Sequence, residues 1–482
     1  MANLEIHLLD VGAIEYGDCV LCVSDDTSVL IDGGKKASSR KSIGRVSGRD
    51  ITHPPIQEQI EAILGTTRVD LLVVTHCHSD HVGNLPQLIA NGEISCTHAL
   101  LADPQFGFGI SGDATEPGPA ADMSPAEKLW MALREEPIHS ADPAEVLQFI
   151  EDSAAEYDEY VGLVNLLRER LGEHCVIYRG VTDEDSPGLD ALLTHFSAIG
   201  LKIYGPSQDQ LGNCALFLAG RDQDVIDLES SLDQGGRVDL VAAYREAVRL
   251  QESTDAEDAG GNGNAVNNQS IVLCVGSGAH RALLTGDMQF AKPQLANDVV
   301  VAEMQALIES IADDVRARGA FGFVKLSHHA ATNGQNETLL KEWGSPLLGI
   351  STGSKSSKHP TAPTLTALKD LRAENAEVRW GRTDMNGRVT YRVDGDERTL
   401  LKQRGRWNDL TPPTERTGDA APEEESVVPQ TVTAPVPAIA SARAAAEHVE
   451  VVVRVPHVRT RVTITIDVEP PASGGGTSLP LP

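Results

Sequence analysis

Basic side chains are scarce in this chain, and the scarcity limits its partners. Lys and Arg number 40 against 70 Asp and Glu, which gives a formal net charge of −30. Such acidity opposes unselective binding to nucleic acid or an anionic membrane, so a polyanionic substrate would need a locally basic patch. The chain has no run approaching the ~18 apolar residues of a membrane-spanning helix. Its first residues lack the basic and apolar stretches of a signal peptide. We therefore expect a soluble, cytoplasmic protein.

Cysteines are too few and too irregularly spaced for a disulfide framework. The chain has seven, an odd number, at positions 19, 22, 77, 96, 175, 214 and 274. We therefore expect reduced thiols rather than disulfides. Cys77 alternates with two histidines, and we expect it to pack inward rather than bind a metal.

One hexapeptide carries most of the chemical information. Residues 76–81 read His-Cys-His-Ser-Asp-His and follow segment 69–75, whose apolar, β-branched residues are typical of a buried strand. Imidazole nitrogens and a carboxylate oxygen are good ligands for zinc or manganese, and α/β folds place chemistry where strands end. The candidate ligands are His76, His78, Asp80 and His81. The alternative interpretation is a polar loop with incidental histidines.

Three later segments offer matching chemistry. Asp287 follows an apolar strand and could bridge two ions, although Gly-Asp is also an ordinary turn dipeptide. His328 and His329 follow another predicted strand. Because adjacent residues on an extended chain point opposite ways, at most one of them should face the metals, and the other could shuttle a proton or bind substrate. His359 ends a loop that contains Lys355 and Lys358, which would suit an anionic group.

The composition divides the chain into three parts. Residues 1–408 are predicted to form one α/β domain, with a helical insertion at 106–200, where residues 111–200 hold 19 acidic and 5 basic side chains. Residues 409–446 are rich in Pro, Ala and Glu and are predicted to be a disordered linker. Residues 447–482 contain alternating apolar positions, so a short β-rich tail that docks on a protein partner is expected.

The hexapeptide resembles the His-x-His-x-Asp-His signature of the metallo-β-lactamase superfamily. The resemblance implies an αββα sandwich, with His76 and His78 on one metal and Asp80 and His81 on the other. It also implies that the segment after the first hairpin borders the site. The basic residues 35–49 would then grip phosphate, although a solvated, flexible loop is the alternative. The substrate-binding candidates in this segment are Lys35, Lys36, Arg40 and Lys41.

The later motifs resemble, in order, the hydrolase domain of competence proteins of the ComEC/Rec2 type. They are Asp10-Val-Gly12 with Gly17-Asp18, Asn268-Gln-Ser270, Thr285-Gly-Asp287, His328-His329 and Ser351…His359-Pro360, over roughly residues 4–400. Phosphorylcholine esterases of the superfamily use the second histidine of the pair as ligand, which implies that His329 binds metal and His328 acts as acid or base. This chain departs from the family at His78, where Asp is usual, and at Ala330, where Gly is usual.

The resemblance implies two divalent ions, with zinc favoured over manganese, and a bridging hydroxide as the nucleophile. Asp80 would orient that hydroxide, while His328 or His359 would protonate the leaving group. The favoured hypothesis is a phosphodiesterase or nuclease that acts on nucleic acid or a nucleotide. The alternatives are a hydrolase of a small ester, thioester or phosphocholine-like substrate under an acidic cap, and a non-catalytic module that binds a protein partner.

Overall fold

The computed structural model describes residues 3–46, 48–109, 121, 123–135, 137–138, 140–220, 239–253, 262–295 and 297–413. All of them lie within one unit, Met1–Ala434. The fold is α/β, as the sequence predicts. From residue 414 onward, the predicted linker and β-rich tail lie outside the described residues. Within the described ranges, no helix is both long enough and apolar enough to cross a membrane.

Eight strands form the larger sheet, in the order β16-β15-β1-β2-β3-β6-β7-β8. The strands from β16 to β3 are antiparallel to their neighbours, and those from β3 to β8 are parallel. Their bounds are β1 Leu4–Leu8, β2 Val20–Ser24, β3 Thr27–Ile31, β6 Arg68–Val74, β7 Ser95–Ala102, β8 Cys175–Tyr178, β15 Val389–Asp394 and β16 Glu397–Lys402. Strands β4 (Ser42–Val46) and β5 (Arg49–His53) form a separate hairpin.

Six strands form the smaller sheet, in the order β14-β13-β12-β11-β10-β9. Strands β11 to β14 run parallel, while β9, β10 and β11 are antiparallel. Their bounds are β9 Lys202–Gly205, β10 Val272–Val275, β11 Ala282–Leu284, β12 Phe323–Lys325, β13 Leu347–Ile350 and β14 Arg379–Arg382.

The helices pack on both sheets. Their bounds are α1 Ile56–Leu64, α2 Ser79–Val82, α3 Leu85–Ala90, α4 Pro104–Gly107, α5 Pro125–Arg134, α6 Pro143–Leu171, α7 Leu189–His195, α8 Gln208–Gly220, α9 Leu240–Ser253, α10 Asn262–Asn267, α11 Asp298–Arg318, α12 Glu337–Trp343, α13 Ala362–Glu374 and α14 Thr383–Asn386. Short 3₁₀ helices cover Lys36–Ser39, Gly172–His174, Ser197–Ile199, Gly278–His280 and His328–Ala330.

Strand alternation explains how the layers pack. Successive side chains of a strand point to opposite faces, so β6 can be buried on both sides. Leu71 and Val73 pack in a core that both sheets share. Leu72 and Val74 pack instead with helices such as α3 and α6. Helices α11, α12 and α13 cover the other face of the smaller sheet.

Residues 106–200 contain helices α5 and α6 and also strand β8. Helix α5 begins with a capping box, in which the Ser124 side chain and the Glu127 side chain each accept from the other's backbone N–H. Asp142 caps α6 by accepting from the Ala144 N–H. Helices α5, α6 and α9 bury a small apolar cluster of their own. Side chains at the end of α5 reach the candidate site.

Candidate metal centre

Parallel strands from both sheets end at the site. Strand β6 ends at Val74, and residues 76–81 follow it directly. In the other sheet, Asp287 follows β11 and His329 follows β12, and these two strands are parallel neighbours. Since the carboxyl ends of parallel strands share one edge, their loops meet there. Polar side chains more than 200 residues apart in sequence are thereby brought together.

Four of the predicted ligands form one buried cluster: Asp80, His81, Asp287 and His329. One ligand atom from each lies within 4.8 Å of all the others. His329 Nε2 is 2.8 Å from Asp80 Oδ2 and 3.2 Å from Asp287 Oδ2. His81 Nε2 is 3.3 Å from Asp287 Oδ2 and 3.6 Å from Asp80 Oδ2. Two imidazole nitrogens and two carboxylates therefore converge on one point.

The other two predicted ligands form a neighbouring pair. His76 Nε2 and His78 Nδ1 are 3.1 Å apart. The His76 ring centroid lies 4.1 Å from that of His81, so the pair adjoins the four-residue cluster. Two nitrogens at this separation can each lie about 2.0–2.1 Å from one zinc ion. Both residues are buried.

Each of the four imidazoles is held by its other ring nitrogen. His81 Nδ1 lies 2.8 Å from Asp32 Oδ2, and His329 Nδ1 lies 2.9 Å from the Ser351 carbonyl oxygen. His78 Nε2 lies 2.7 Å from the Arg134 carbonyl oxygen. His76 Nδ1 lies 3.2 Å from the Ser270 hydroxyl. Partners of this kind fix the tautomer and ring orientation of metal-ligating histidines.

This donor set fits divalent metal ions. Within the described part of the chain, His81 Nε2 and Asp287 Oδ1 have no hydrogen-bond partner although both are buried. Burying such atoms unpaired costs free energy unless something else engages them. Imidazole nitrogens with carboxylate oxygens suit zinc, manganese or iron.

The electrostatics of the cluster also favour a cation. Burial disfavours a charged imidazole, yet the carboxylates of Asp287 and Asp80 raise the pKa of His81 well above its usual value. The same balance raises the pKa of His329, again chiefly through Asp287. Conversely, the neighbouring histidines hold the pKa of Asp80 well below its usual range despite its burial. Positive charge therefore stabilises the buried carboxylates, and either protons on the histidines or a divalent ion can supply it.

Two further acidic residues and one lysine belong to the site, and the sequence did not single them out as ligands. Asp18, Asp32 and His81 form a second group with converging ligand atoms. The Lys325 ammonium contacts the Asp18 carboxylate and lies 3.6 Å from Asp287 Oδ1. Lys325 is 1% exposed. Asp18 lies in the Gly17-Asp18 motif, and Lys325 lies four residues before His329. Closeness to these motifs was the only sequence signal that could have indicated either residue.

The structure separates the paired histidines. His329 joins the cluster, whereas His328 points elsewhere: its Nδ1 lies 2.9 Å from Asn333 Oδ1 and its Nε2 lies 3.3 Å from Asn267 Nδ2. Residues 328–330 all have positive φ, with Ala330 at +65°. Glycine would adopt that conformation with less strain. Alanine at position 330, where the resembling family has glycine, therefore strains the backbone locally.

His359, the other predicted acid or base, lies beside the cluster. Its ring centroid is 6.0 Å from that of His329 and 5.8 Å from that of Tyr16. Tyr16 also lies 5.4 Å from His329 and carries the Lys35 ammonium over its ring at 4.3 Å. Tyr16 therefore links the basic segment to the metal ligands.

The predicted phosphate-binding residues are placed unequally. Lys35 lies over Tyr16, while Lys36 forms an ion pair at 2.8 Å with Glu159 of helix α6. The Lys358 ammonium donates to the Pro137 carbonyl oxygen at 3.2 Å. The remaining three are exposed: Arg40, Lys41 and Lys355. Lys35, Lys36 and Lys358 thus contact residues at the site or at its cover, whereas Arg40, Lys41 and Lys355 are exposed.

The acidic insertion covers the centre. Arg134 and Glu135, at the end of helix α5, contact His78 and Ser79. Glu156 of helix α6 is buried nearby, and burial together with Glu135 raises its pKa well above the usual value. A cavity of about 260 Å³ remains between the cover and the loops that carry Tyr16 and His359. Its walls include Glu15, Tyr16, Ile138, Ser140, Glu145 and Lys358.

Comparison with known proteins adds little to this geometry. No protein-family model matches the chain. No curated protein matches it either. Among solved structures, the chain is similar to a mutant of the CmlA β-hydroxylase, at 9% identity and a TM-score of 0.33. The match covers 81% of this chain and 54% of that structure, so the chain spans about half the length of the protein it matches.

Proposed function

We propose that this chain is a metal-dependent hydrolase of the metallo-β-lactamase superfamily that cleaves a phosphodiester in a small substrate. The observation that carries the proposal is the orientation of the four histidines. Each has one nitrogen held by a partner outside the four-residue cluster, and the Nε2 atoms of His81 and His329 face the carboxylates of Asp80 and Asp287. Two imidazole nitrogens that converge with two carboxylates in a buried cluster supply the ligand types of a divalent metal site.

The paired-histidine element supports a finer placement, beside the hydrolase domain of competence proteins. His81, His329 and Asp80 would hold one ion and His76 and His78 would hold the other, and Asp287 would add a second carboxylate to the set. When bound, divalent ions lower the pKa of a coordinated water so that hydroxide forms near neutral pH. Zinc is favoured because imidazoles outnumber carboxylates in this set.

The leaving group needs a proton donor, and His359 fits this role better than His328. Both ring nitrogens of His328 lie within hydrogen-bond distance of asparagine side chains. His359 instead adjoins Tyr16 and follows Lys358, both of which line the cavity. His359 can therefore deliver a proton on the side where substrate enters.

The cover argues for a small substrate rather than duplex DNA. A cavity of about 260 Å³ is near the lower limit for small-molecule sites. Lys36 is already paired with Glu159, which leaves fewer free cations to hold a polyanion. Lys358 lines the cavity and Lys35 lies over Tyr16, another of its lining residues, so these two cations can hold one phosphate. A nucleotide or a phosphodiester of similar size satisfies these limits.

Hydrolysis assays test the proposal. Purified protein with added zinc or manganese is given bis(p-nitrophenyl) phosphate, p-nitrophenyl acetate or linear DNA, and Asp287→Asn serves as the isosteric control. We expect the native protein alone to release nitrophenol from the phosphodiester and to leave the DNA intact. Cleavage of DNA would favour the nuclease hypothesis. Hydrolysis of the acetate alone, or of nothing, would refute the phosphodiesterase assignment.

A further inference from the structure

We propose that the end of helix α5, residues Arg134 and Glu135, positions the His76–His78 pair for metal binding. The insertion would then be part of the metal site and not only its cover. The inference rests on the proposed function in one respect, because it takes His76 and His78 to be ligands. It adds a residue, Glu135, that makes no contact with either histidine side chain.

The Arg134 carbonyl sets the tautomer of His78. A carbonyl oxygen can only accept, so the 2.7 Å contact requires the proton to sit on His78 Nε2. The lone pair of the neutral ring then lies on Nδ1, the atom 3.1 Å from His76 Nε2. The Arg134 carbonyl thereby holds His78 with Nδ1 turned toward His76, as hydrogen-bond partners of metal-ligating histidines do.

Glu135 fixes the backbone between two proposed ligands. Its Oε2 accepts from the Ser79 backbone N–H at 3.0 Å and from the Ser79 hydroxyl at 2.6 Å. Ser79 is the only residue between His78 and Asp80, which belong to the two proposed metal positions. Hydrogen bonds to a carboxylate are stronger than neutral ones, so this pair sets the angle at which the two ligands leave the chain.

The α5 end is itself held from three directions. The Ile138 N–H donates to the Tyr244 hydroxyl of helix α9 at 2.9 Å. Lys358, next to His359, donates to the Pro137 carbonyl oxygen. Helix α10 approaches so closely that a Cβ on Gly263 would lie 3.0 Å from the Arg134 carbonyl oxygen. These contacts define where the carbonyl points.

Fold stability alone does not explain the position of Glu135. The side chain is 7% exposed and lies close to the buried carboxyl of Glu156. Burying a carboxylate beside another carboxyl group opposes folding. Within the described residues, the side chain of Glu135 forms its hydrogen bonds with Ser79 alone. The unfavourable burial of Glu135 is therefore explained by a role in holding Ser79.

Metal affinity is the direct test. Zinc binding is measured by competition with a chromophoric chelator, and bound Mn²⁺ is counted by electron paramagnetic resonance. We expect Glu135→Ala to lower the affinity for one of the two ions about 10–100-fold, as the loss of groups that orient metal ligands does. Glu135→Gln should restore most of that affinity because it keeps an acceptor. Glu151→Ala is the matched control. It removes an exposed carboxylate that joins α6 to Lys128 of α5, and it should leave both affinities unchanged.

Other outcomes separate this inference from the proposed function. If Glu135→Ala binds both ions as tightly as the native protein, the inference is wrong while the hydrolase proposal stands. If the native protein binds neither metal, both fail. Should Glu135→Ala not fold, Ser79→Ala gives the answer, because it removes the 2.6 Å hydrogen bond and keeps the backbone one. Unchanged affinity in Ser79→Ala together with poor rescue by Glu135→Gln would also refute the positioning role.

Discussion

Replacing Lys325 by Met isolates the electrostatic balance of the centre. The ammonium is buried, contacts Asp18, donates to the Gly286 carbonyl oxygen at 2.9 Å and lies 3.6 Å from Asp287. Met has a similar length but no charge. The substitution therefore leaves two buried carboxylates without their cation. Removing one partner of a buried ion pair costs about 3–5 kcal/mol, a large part of the about 5–15 kcal/mol that stabilises a typical domain.

Bound metal should reduce the destabilisation that Lys325→Met causes. In excess chelator, and with Lys325 replaced, the described residues place only the imidazoles of His81 and His329 beside Asp287 as potential cations, so the full destabilisation is expected. With zinc present, positive charge at the ligands offsets part of it. Equilibrium denaturation of native and variant protein, with and without chelator, measures both values.

A matched substitution controls for the loss of a lysine. Lys341 forms ion pairs with Glu337 and Glu374 on the surface, where exposed pairs contribute little. Lys341→Met should therefore unfold like the native protein. A destabilisation by Lys325→Met of less than about 1 kcal/mol in chelator would refute the reasoning, because loss of one partner of a buried ion pair should lower the free energy of unfolding by more than that.

Three further outcomes are expected. Asp32→Asn removes the carboxylate that holds His81 and should weaken zinc binding about 10–100-fold, while Asn tolerates the φ of +60° at this position. Chelation should lower the thermal midpoint, since ligand at 100 times its Kd stabilises by about 2.7 kcal/mol. His7, whose Nε2 lies 3.1 Å from Glu5 Oε2, lowers the pKa of Glu5 from 4.5 to about 2, so the stabilisation from Glu5 is present above pH 4.5 and is lost as the pH falls through 2.

Each of these outcomes has a simple measurement. Chelator competition gives the zinc affinity of Asp32→Asn, and an unchanged affinity would contradict the role given to that carboxylate. Thermal scans with and without chelator should differ, and identical midpoints would argue against bound metal. Native and Glu5→Gln midpoints recorded from pH 6 to pH 2 should converge in acid; parallel curves would contradict the pKa shift.

The sequence predicted the local parts of the site well. A β-branched run followed by His-Cys-His-Ser-Asp-His indicates a strand end with ligands, and strand β6 ends at Val74. The placement of Asp287 and His329 after strands follows from the same reasoning. These signals are local, because alternation and strand ends depend on neighbouring residues only.

Tertiary contacts supply what the sequence could not show. Asp32 is three residues from the basic segment, yet its relevant partner is the ring of His81, 49 residues away. The basic segment 35–49 reads as a loop, but part of it forms the β4–β5 hairpin. The contact between Arg134 and His78 depends on how α5 packs, and no motif marks a backbone carbonyl.

The topology of the ligands has a consequence for biosynthesis. Asp80 and His329 are 249 residues apart in sequence, and β1 at the start of the chain pairs with β15 near residue 393. Contacts of such large sequence separation form slowly during folding. A nascent chain that has not yet been synthesised past β12 lacks His329, and without β15 it also lacks a strand that pairs with β1. The four-residue cluster can therefore assemble only after the chain has been synthesised through His329.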